Sequence, residues 1–182
     1  MSGSRRASRP CVQASRARSC STGTRRPEGS AGVAARPIVM FLEGEGPDAR
    51  GRTIFDVLSM NDVALERTHD FIQWLFPLPE PSAAVPDSPV LTPDDIQAIR
   101  VSELAPMAMG AATDRMAAFY QTTHDWLTPN DHNHRRITRI IRSLRLLVGD
   151  AEADAFQAMI VARVEATRAP VSARSRGYWA TA

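Results

Sequence analysis

The side chains best suited to chemistry in this sequence are histidines and carboxylates that lie close together along the chain. His124 stands a few residues before the run "DHNH" at 131–134. A loop here could gather these groups round a metal ion, but His132 and His134 are two residues apart and do not share a helix face. A zinc-protease helix is therefore excluded. The simpler interpretation is surface histidines beside a helix cap, and we predict no metal ion.

Other catalytic patterns do not occur in the sequence. It contains no glycine-rich phosphate loop and no G-x-S-x-G motif, and neither cysteine lies in the context of an activated nucleophile. His69 stands at the edge of an apolar helix face, where we interpret it as a hydrogen-bonded core histidine rather than a catalytic base. We therefore predict a protein that is not an enzyme and that needs no cofactor.

An arginine-rich segment is the best candidate for binding. In "NHRRITRIIRSLRLL" (133–147) the isoleucines and most leucines recur at helical spacing and form a core face. Arg135, Arg139 and Arg142 fall on the opposite side, with Leu146 among them. Solvated surface charge is one interpretation. The other is that these four residues bind an acidic and apolar surface of a partner.

The elements that must position these residues are predicted to be helices throughout. Thr53 can cap "IFDVLSM", Asn61 or Asp62 can cap "VALERTHDFIQWLF", and Thr92 can cap "TPDDIQAIRVSEL" with a proline at the first helical position. Prolines between 77 and 93 predict an extended connector. No strand-like alternation competes. We predict an all-α domain of about six to eight helices over 37–182.

The aromatic run before those prolines, "HDFIQWLFPLPEPS" (69–82), is a structural feature in this interpretation. Its apolar side chains recur at helical spacing, which is more typical of a core than of a ligand cage. We therefore expect Trp74 to be buried. The prolines then direct the chain away from the helix end.

The charged residues are distributed unevenly along the chain. All 22 basic residues are Arg, a usage typical of a GC-rich genome and suggestive of a bacterial source. Residues 1–36 carry eight of them against one acid, and 37–182 carry 14 against 19 acids. The segment 1–36 is rich in Arg and Ser and poor in large apolar residues, so we predict a disordered tail. It could be an arm for nucleic acid or anionic membrane, an organelle transit peptide, or a non-functional extension before Met40; we favour the last.

Localisation follows from what the sequence lacks. Both cysteines, Cys11 and Cys20, lie in the tail, so the predicted domain has no disulfide framework and no cysteine-based zinc site. No run approaches the ~20 apolar residues of a membrane span. A cytoplasmic location is the simplest expectation.

Two long motifs then carry a resemblance to a known family. "THDFIQWLFPLPEPS" (68–82) and "HNHRRITRIIRSLRLL" (132–147) resemble the conserved domain of the opioid growth factor receptor family, and "GPDARGRTIFDVL" and the closing "GYW" are similar to shorter elements of bacterial-type members. The resemblance covers about residues 38–180. The matching residues, interpreted as structural, are His69, Gln73, Trp74, Phe76, Pro77, Asn133, Arg136 and Thr138.

The resemblance implies an all-α, receptor-like module. Vertebrate relatives bind the pentapeptide methionine-enkephalin and associate with nuclear membranes, so a peptide or protein ligand, signalling receptor activity and peripheral membrane association are expected. The alternative is a nucleic-acid-associated protein that uses the basic tail and the Arg-rich helix 133–148. Against it, no aromatic residue interleaves with those arginines to stack bases.

Overall fold

The computed structural model describes residues 36–86 and 88–182, all of which lie in one unit of the chain, Ala35–Ala182. Within these residues the chain forms nine helices and no strand, which confirms the all-α prediction. The helices are α1 (Pro37–Leu42), α2 (Ile54–Leu58), α3 (Asp62–Arg67), α4 (Ile72–Leu75), α5 (Pro93–Val101), α6 (Leu104–Thr122), α7 (His132–Leu147), α8 (Asp150–Thr167) and α9 (Ala173–Ala180).

Residues 1–35 and Asp87 lie outside the described part. The predicted disorder of 1–36 falls almost entirely on those residues and stays a prediction.

Local signals fix most helix starts. Thr53 and Thr92 each accept a hydrogen bond from the amide three residues later, and the aspartate at that position returns one to the cap amide, which completes a capping box at α2 and α5. Asn61, Asp131 and Ser172 cap α3, α7 and α9 with their side chains. These caps give amide groups at the helix ends a partner.

One predicted helix is divided in the structure. The sequence indicated a continuous helix over 62–76, but α3 ends at Arg67 and α4 begins at Ile72, with Thr68 in an extended conformation between them. The carbonyl of Leu65, which a continuous helix would pair with an amide four residues later, accepts a hydrogen bond from Arg136 instead. The break between α3 and α4 therefore coincides with a tertiary contact.

Helix α7 lies at the centre of the packing. It contacts α5, α6, α8 and α9, while α1 packs against α4, α5 and α6. Its inner face is fully buried and consists of Ile137, Ile140, Ile141, Leu144 and Leu147. Trp74 is 7% exposed and belongs to the same core, as predicted. Among the described residues, every helix is too short or too polar to span a bilayer.

Candidate functional site

Helix α7 presents one side to the chain segment 65–80, and this contact joins the two motifs singled out in the sequence. Arg139 Nε donates to the carbonyl of Phe76 at 2.8 Å, and Ser143 Oγ donates to the carbonyl of Pro77 at 2.9 Å. Arg142 forms an ion pair with Glu80. The proline segment that follows α4 is thus held along the helix by side chains of α7.

Arg136 is the most deeply buried arginine of this contact, with 5% of its surface exposed. Burial lowers its pKa, and the nearby Tyr120, Glu66 and Asp131 act in the opposite direction. Its guanidinium donates four hydrogen bonds: to the carbonyls of Leu65 (3.1 Å) and Thr68 (2.7 Å), to Asn133 Oδ1 (3.1 Å) and to His69 Nδ1 (2.9 Å). This arrangement satisfies a buried cation without direct pairing to a carboxylate.

A group of ionisable side chains lies at the surface beside Arg136. His132 Nε2 is 3.5 Å from Glu66 Oε1, and His132 Nδ1 is 3.4 Å from Asp131 Oδ1. The ring of His69 meets that of His132 edge to face, with centroids 5.0 Å apart. Burial and the charges of Arg136 and His132 lower the pKa of His69, which favours its neutral form.

Arg139 differs from Arg136 in how its charge is compensated. The side chain is half-buried, and its Nη2 atom is shielded from solvent and has no hydrogen-bond partner among the described residues. Glu80 is the acidic group whose charge acts on it, yet Glu80 pairs with Arg142. Burial lowers the pKa of Arg139 to about 10, so the guanidinium stays protonated at neutral pH. The result is a poorly compensated cation at the domain surface.

The other residues of the predicted binding face are placed differently from one another. Arg135 is exposed, and Arg142 is exposed but paired with Glu80. Leu146 packs against the core as a half-buried side chain, so only part of its surface is available to act as the apolar anchor expected from the sequence. Arg100 of α5, which sequence reasoning missed, donates two hydrogen bonds to the carbonyl of Leu146, at 2.9 and 2.6 Å. No local pattern links Arg100 to α7, because 46 residues separate it from Leu146.

The remaining motif residues contribute to packing and backbone contacts. Gln73 is buried and donates to Ser82 Oγ at 3.2 Å, while its Oε1 has no partner within the described residues. Trp74 meets Phe41 edge to face at a centroid distance of 5.4 Å. Thr138 Oγ1 donates to the carbonyl of His134 at 3.0 Å.

The histidines require two corrections. His69 is exposed rather than part of the core, whereas His134 is 4% exposed although it was expected at the surface. His134 Nε2 donates to the carbonyl of Trp126, and Nδ1 accepts from Ser175, so neither nitrogen is free for a metal. His124 bonds to Arg163 of α8, and it is not in the group with His132. The metal site considered from the sequence is not assembled.

A cavity of about 250 Å³ lies on the other side of α4. It is lined by Trp74, Arg50, Arg52, Asp70, Ala49, Val85 and Ser88. Both arginines bind Asp70, and Arg52 also binds Asp48, so the charges are internally balanced. This balance gives the cavity no clear preference for an acidic or a basic ligand.

The carboxyl group of Asp70 is expected to make the free energy of unfolding depend on pH in the acid range. Burial raises the pKa of its carboxyl, but hydrogen bonds from Arg52 and Arg50 outweigh burial and hold the pKa below the ordinary 3.8. A lowered carboxyl pKa stabilises the folded state above the unfolded-state pKa, and that contribution is lost as pH falls through the lowered value. We expect Asp70→Asn to be less stable than the parent near neutral pH and to lose less stability below about pH 4.

The measurement is the urea concentration at the midpoint of unfolding, determined at pH values from about pH 6 to pH 2. Asp114→Asn, at an exposed carboxylate of α6, is the control and should keep the parent's acid profile. Superimposable profiles of the parent and Asp70→Asn would contradict the assignment.

The fold and the site define an all-α protein organised round one arginine-rich helix. Residues 52–125 match the family model described as the opioid growth factor receptor conserved region. The chain is 31% identical over 132 residues to the opioid growth factor receptor of Rattus norvegicus, covering 61% of this chain and 22% of that protein. It is also 31% identical over 115 residues to the opioid growth factor receptor of Mus musculus, covering 53% and 17%.

These matches support part of the resemblance seen in the sequence. The chain spans about a fifth of the length of these relatives, both of which are named as receptors. The family match includes the motif at 68–82 but ends before α7. Both relatives are rodent proteins and do not support the bacterial source suggested by arginine usage. No solved structure matches the chain.

Proposed function

We propose that this protein is a non-enzymatic, receptor-like binding module that recognises an acidic group of a peptide or protein partner. The binding surface is the arginine face of α7, formed by Arg135, Arg139 and Arg142 with Leu146 at its end, and extended by Arg100 of α5. The observation that carries the proposal is the state of Arg139, a half-buried cation with a nitrogen lacking a hydrogen-bond partner among the described residues.

The physical argument rests on the cost of an uncompensated charge. Removing a cation from water without a countercharge is unfavourable. Arg136 offsets this cost through four hydrogen bonds, whereas Arg139 has one within the described part of the chain, to the carbonyl of Phe76. Nη2 is itself shielded from solvent, so a partner carboxylate would supply the missing countercharge at the accessible part of the side chain and not a hydrogen bond to Nη2. The exposed Arg135 and Arg142 would steer such a partner toward it.

The names of the rodent relatives agree with a receptor role. Signalling activity, peptide binding and peripheral membrane association belong to this proposal, as does a cytoplasmic location for the domain. The chain corresponds to a small part of those receptors, so we assign it the binding step alone.

Nucleic acid is the alternative partner, since phosphate is also an anion. Each arginine that contacts phosphate contributes about one unit to the slope of log affinity against log salt. Poly-glutamate is also a polyanion, so the salt slope alone does not separate the two partners. The comparison that separates them is the affinity for each probe at the same salt concentration.

Fluorescence anisotropy tests the proposal with labelled poly-glutamate, poly-lysine and single-stranded DNA as probes. We expect saturable binding of poly-glutamate alone. Arg135→Gln should weaken it by up to about fivefold, as expected for an exposed charge, and Arg139→Lys should weaken it more, because lysine lacks the planar fork.

Arg176→Gln, at an exposed arginine of α9, is the matched control and should bind as the parent does. Equal binding of poly-glutamate by the parent and Arg139→Lys would contradict the proposal. Tighter binding of DNA with a steep salt slope would favour the alternative.

A further inference from the structure

We propose, contrary to the prediction of no metal ion made from the sequence, that Glu66, Asp131 and His132 bind a divalent transition-metal ion such as Zn²⁺. One ligand atom from each of these residues lies within 4.8 Å of the other two, so small side-chain rotations would bring them round one ion. The three come from α3, the α7 cap and the first residue of α7. The ion would therefore fasten α3 to the start of α7, a contact that the proposed binding face does not use.

The carboxylates are already oriented by a neighbouring residue. Asn133 Nδ2 donates to Glu66 Oε2 at 3.0 Å, and the Asn133 amide donates to Asp131 Oδ1 at 2.7 Å. Each carboxylate keeps a second oxygen, and Glu66 Oε1 faces the imidazole of His132. Such outer hydrogen bonds fix ligand geometry in metal sites.

A second observation comes from the inner side of the group. The hydroxyl of Tyr120 is completely buried and has no hydrogen-bond partner within the described part of the chain. Burial raises the pKa of this hydroxyl, and the charges that act on it are those of Arg136, Glu66 and Asp131. This buried, unpartnered hydroxyl is near enough for the charges of both carboxylates to act on it.

His69 is close to the group but is not a ligand. Its Nδ1 accepts a hydrogen bond from Arg136, so the proton of the neutral ring lies on Nε2. A nitrogen that carries a proton cannot coordinate a metal. His69 instead covers one side of His132 through the edge-to-face ring contact.

The ligand set indicates which ions fit. One imidazole nitrogen and two carboxylate oxygens suit Zn²⁺, Co²⁺ or Mn²⁺, whereas Ca²⁺ and Mg²⁺ prefer oxygen alone. Two carboxylates outweigh the charge of Arg136 beside them, so the site is net negative when His132 is neutral. Three protein ligands leave a coordination position for water.

The test is a titration of the full-length, untagged protein with Zn²⁺ and Co²⁺, followed by calorimetry and by the visible absorption of Co²⁺. Both tail cysteines are first replaced by serine, because thiolates bind these ions. We expect one ion per chain. His132→Gln and Glu66→Gln should each weaken binding by more than the ~10–100-fold that loss of an outer-shell partner costs.

His124→Gln and His69→Gln are the controls. His124 lies elsewhere on the surface, so its replacement should leave binding unchanged. If His69→Gln still binds one ion, the result agrees with a proton on Nε2 of His69 and with His69 not being a ligand. The proposal is overturned if the parent binds no ion, if His132→Gln binds as tightly as the parent, or if only His124→Gln loses binding.

Discussion

Replacing Arg136 by alanine is expected to lower the free energy of unfolding by about 3–5 kcal/mol, the range for breaking a buried, hydrogen-bonded charge arrangement. The guanidinium is the shared donor for the carbonyls of Leu65 and Thr68, at the break between α3 and α4. Without it the buried carbonyl of Leu65 has no equivalent donor, at a cost of about 1–3 kcal/mol, and the part-buried carbonyl of Thr68 also loses its partner. Urea unfolding at neutral pH measures the loss.

Arg135→Ala is the matched control. Arg135 is the adjacent residue on the same helix but is exposed, so its removal should change stability by no more than about 0.5 kcal/mol. Arg136→Lys should fall between the two, since one ammonium cannot serve all four acceptors. A loss below about 1 kcal/mol for Arg136→Ala would contradict the structural role. If Arg136→Ala does not fold, the lysine variant provides the comparison.

Trp74→Ala is expected to lower the free energy of unfolding by about 3–5 kcal/mol, as for other large aromatic residues of a core. Its ring packs edge to face on Phe41 and is 7% exposed, so truncation leaves a cavity between α1 and α4. The loss is measured by urea unfolding followed by far-ultraviolet circular dichroism, which does not depend on the tryptophan signal.

Phe55→Ala gives the comparison at an exposed aromatic residue. Phe55 is 68% exposed, so its truncation should have little effect on stability. Similar losses for the two variants would mean that Trp74 is not a core residue. Removing Trp126 and Trp179 to isolate the Trp74 fluorescence would be unsuitable, because both are 1% exposed and part of the core.

The helices were predictable because their signals are local. Thr92 and Pro93 specify the start of α5 from residues within one turn, and the apolar spacing of 137–147 identifies the inner face of α7. The break at Thr68 was not predictable in this way. The carbonyl of Thr68 binds Arg136, which lies 68 residues further along the chain, so no sequence window contains both partners.

The candidate sites were also predictable only in part from local sequence. The spacing of Arg135, Arg139 and Arg142 placed them together, but it could not reveal that Glu80 would pair with Arg142 and leave Arg139 poorly compensated. It also could not reveal the approach of Glu66 to His132. Periodicity describes which side chains share a face, whereas exposure and pairing depend on what another element places against that face.

The proposed function requires that Arg139 bind an acidic group of a partner. The NMR signal of the Arg139 Nε–H group tests this most directly. That group donates to the carbonyl of Phe76, which protects it from exchange. The Arg52 Nε–H group, bonded to Asp48, serves as an internal reference. We predict that poly-glutamate shifts the Arg139 signal in a saturable manner and leaves the Arg52 signal unchanged. An unchanged Arg139 signal at saturating peptide, or equal shifts at both arginines, would contradict the claim.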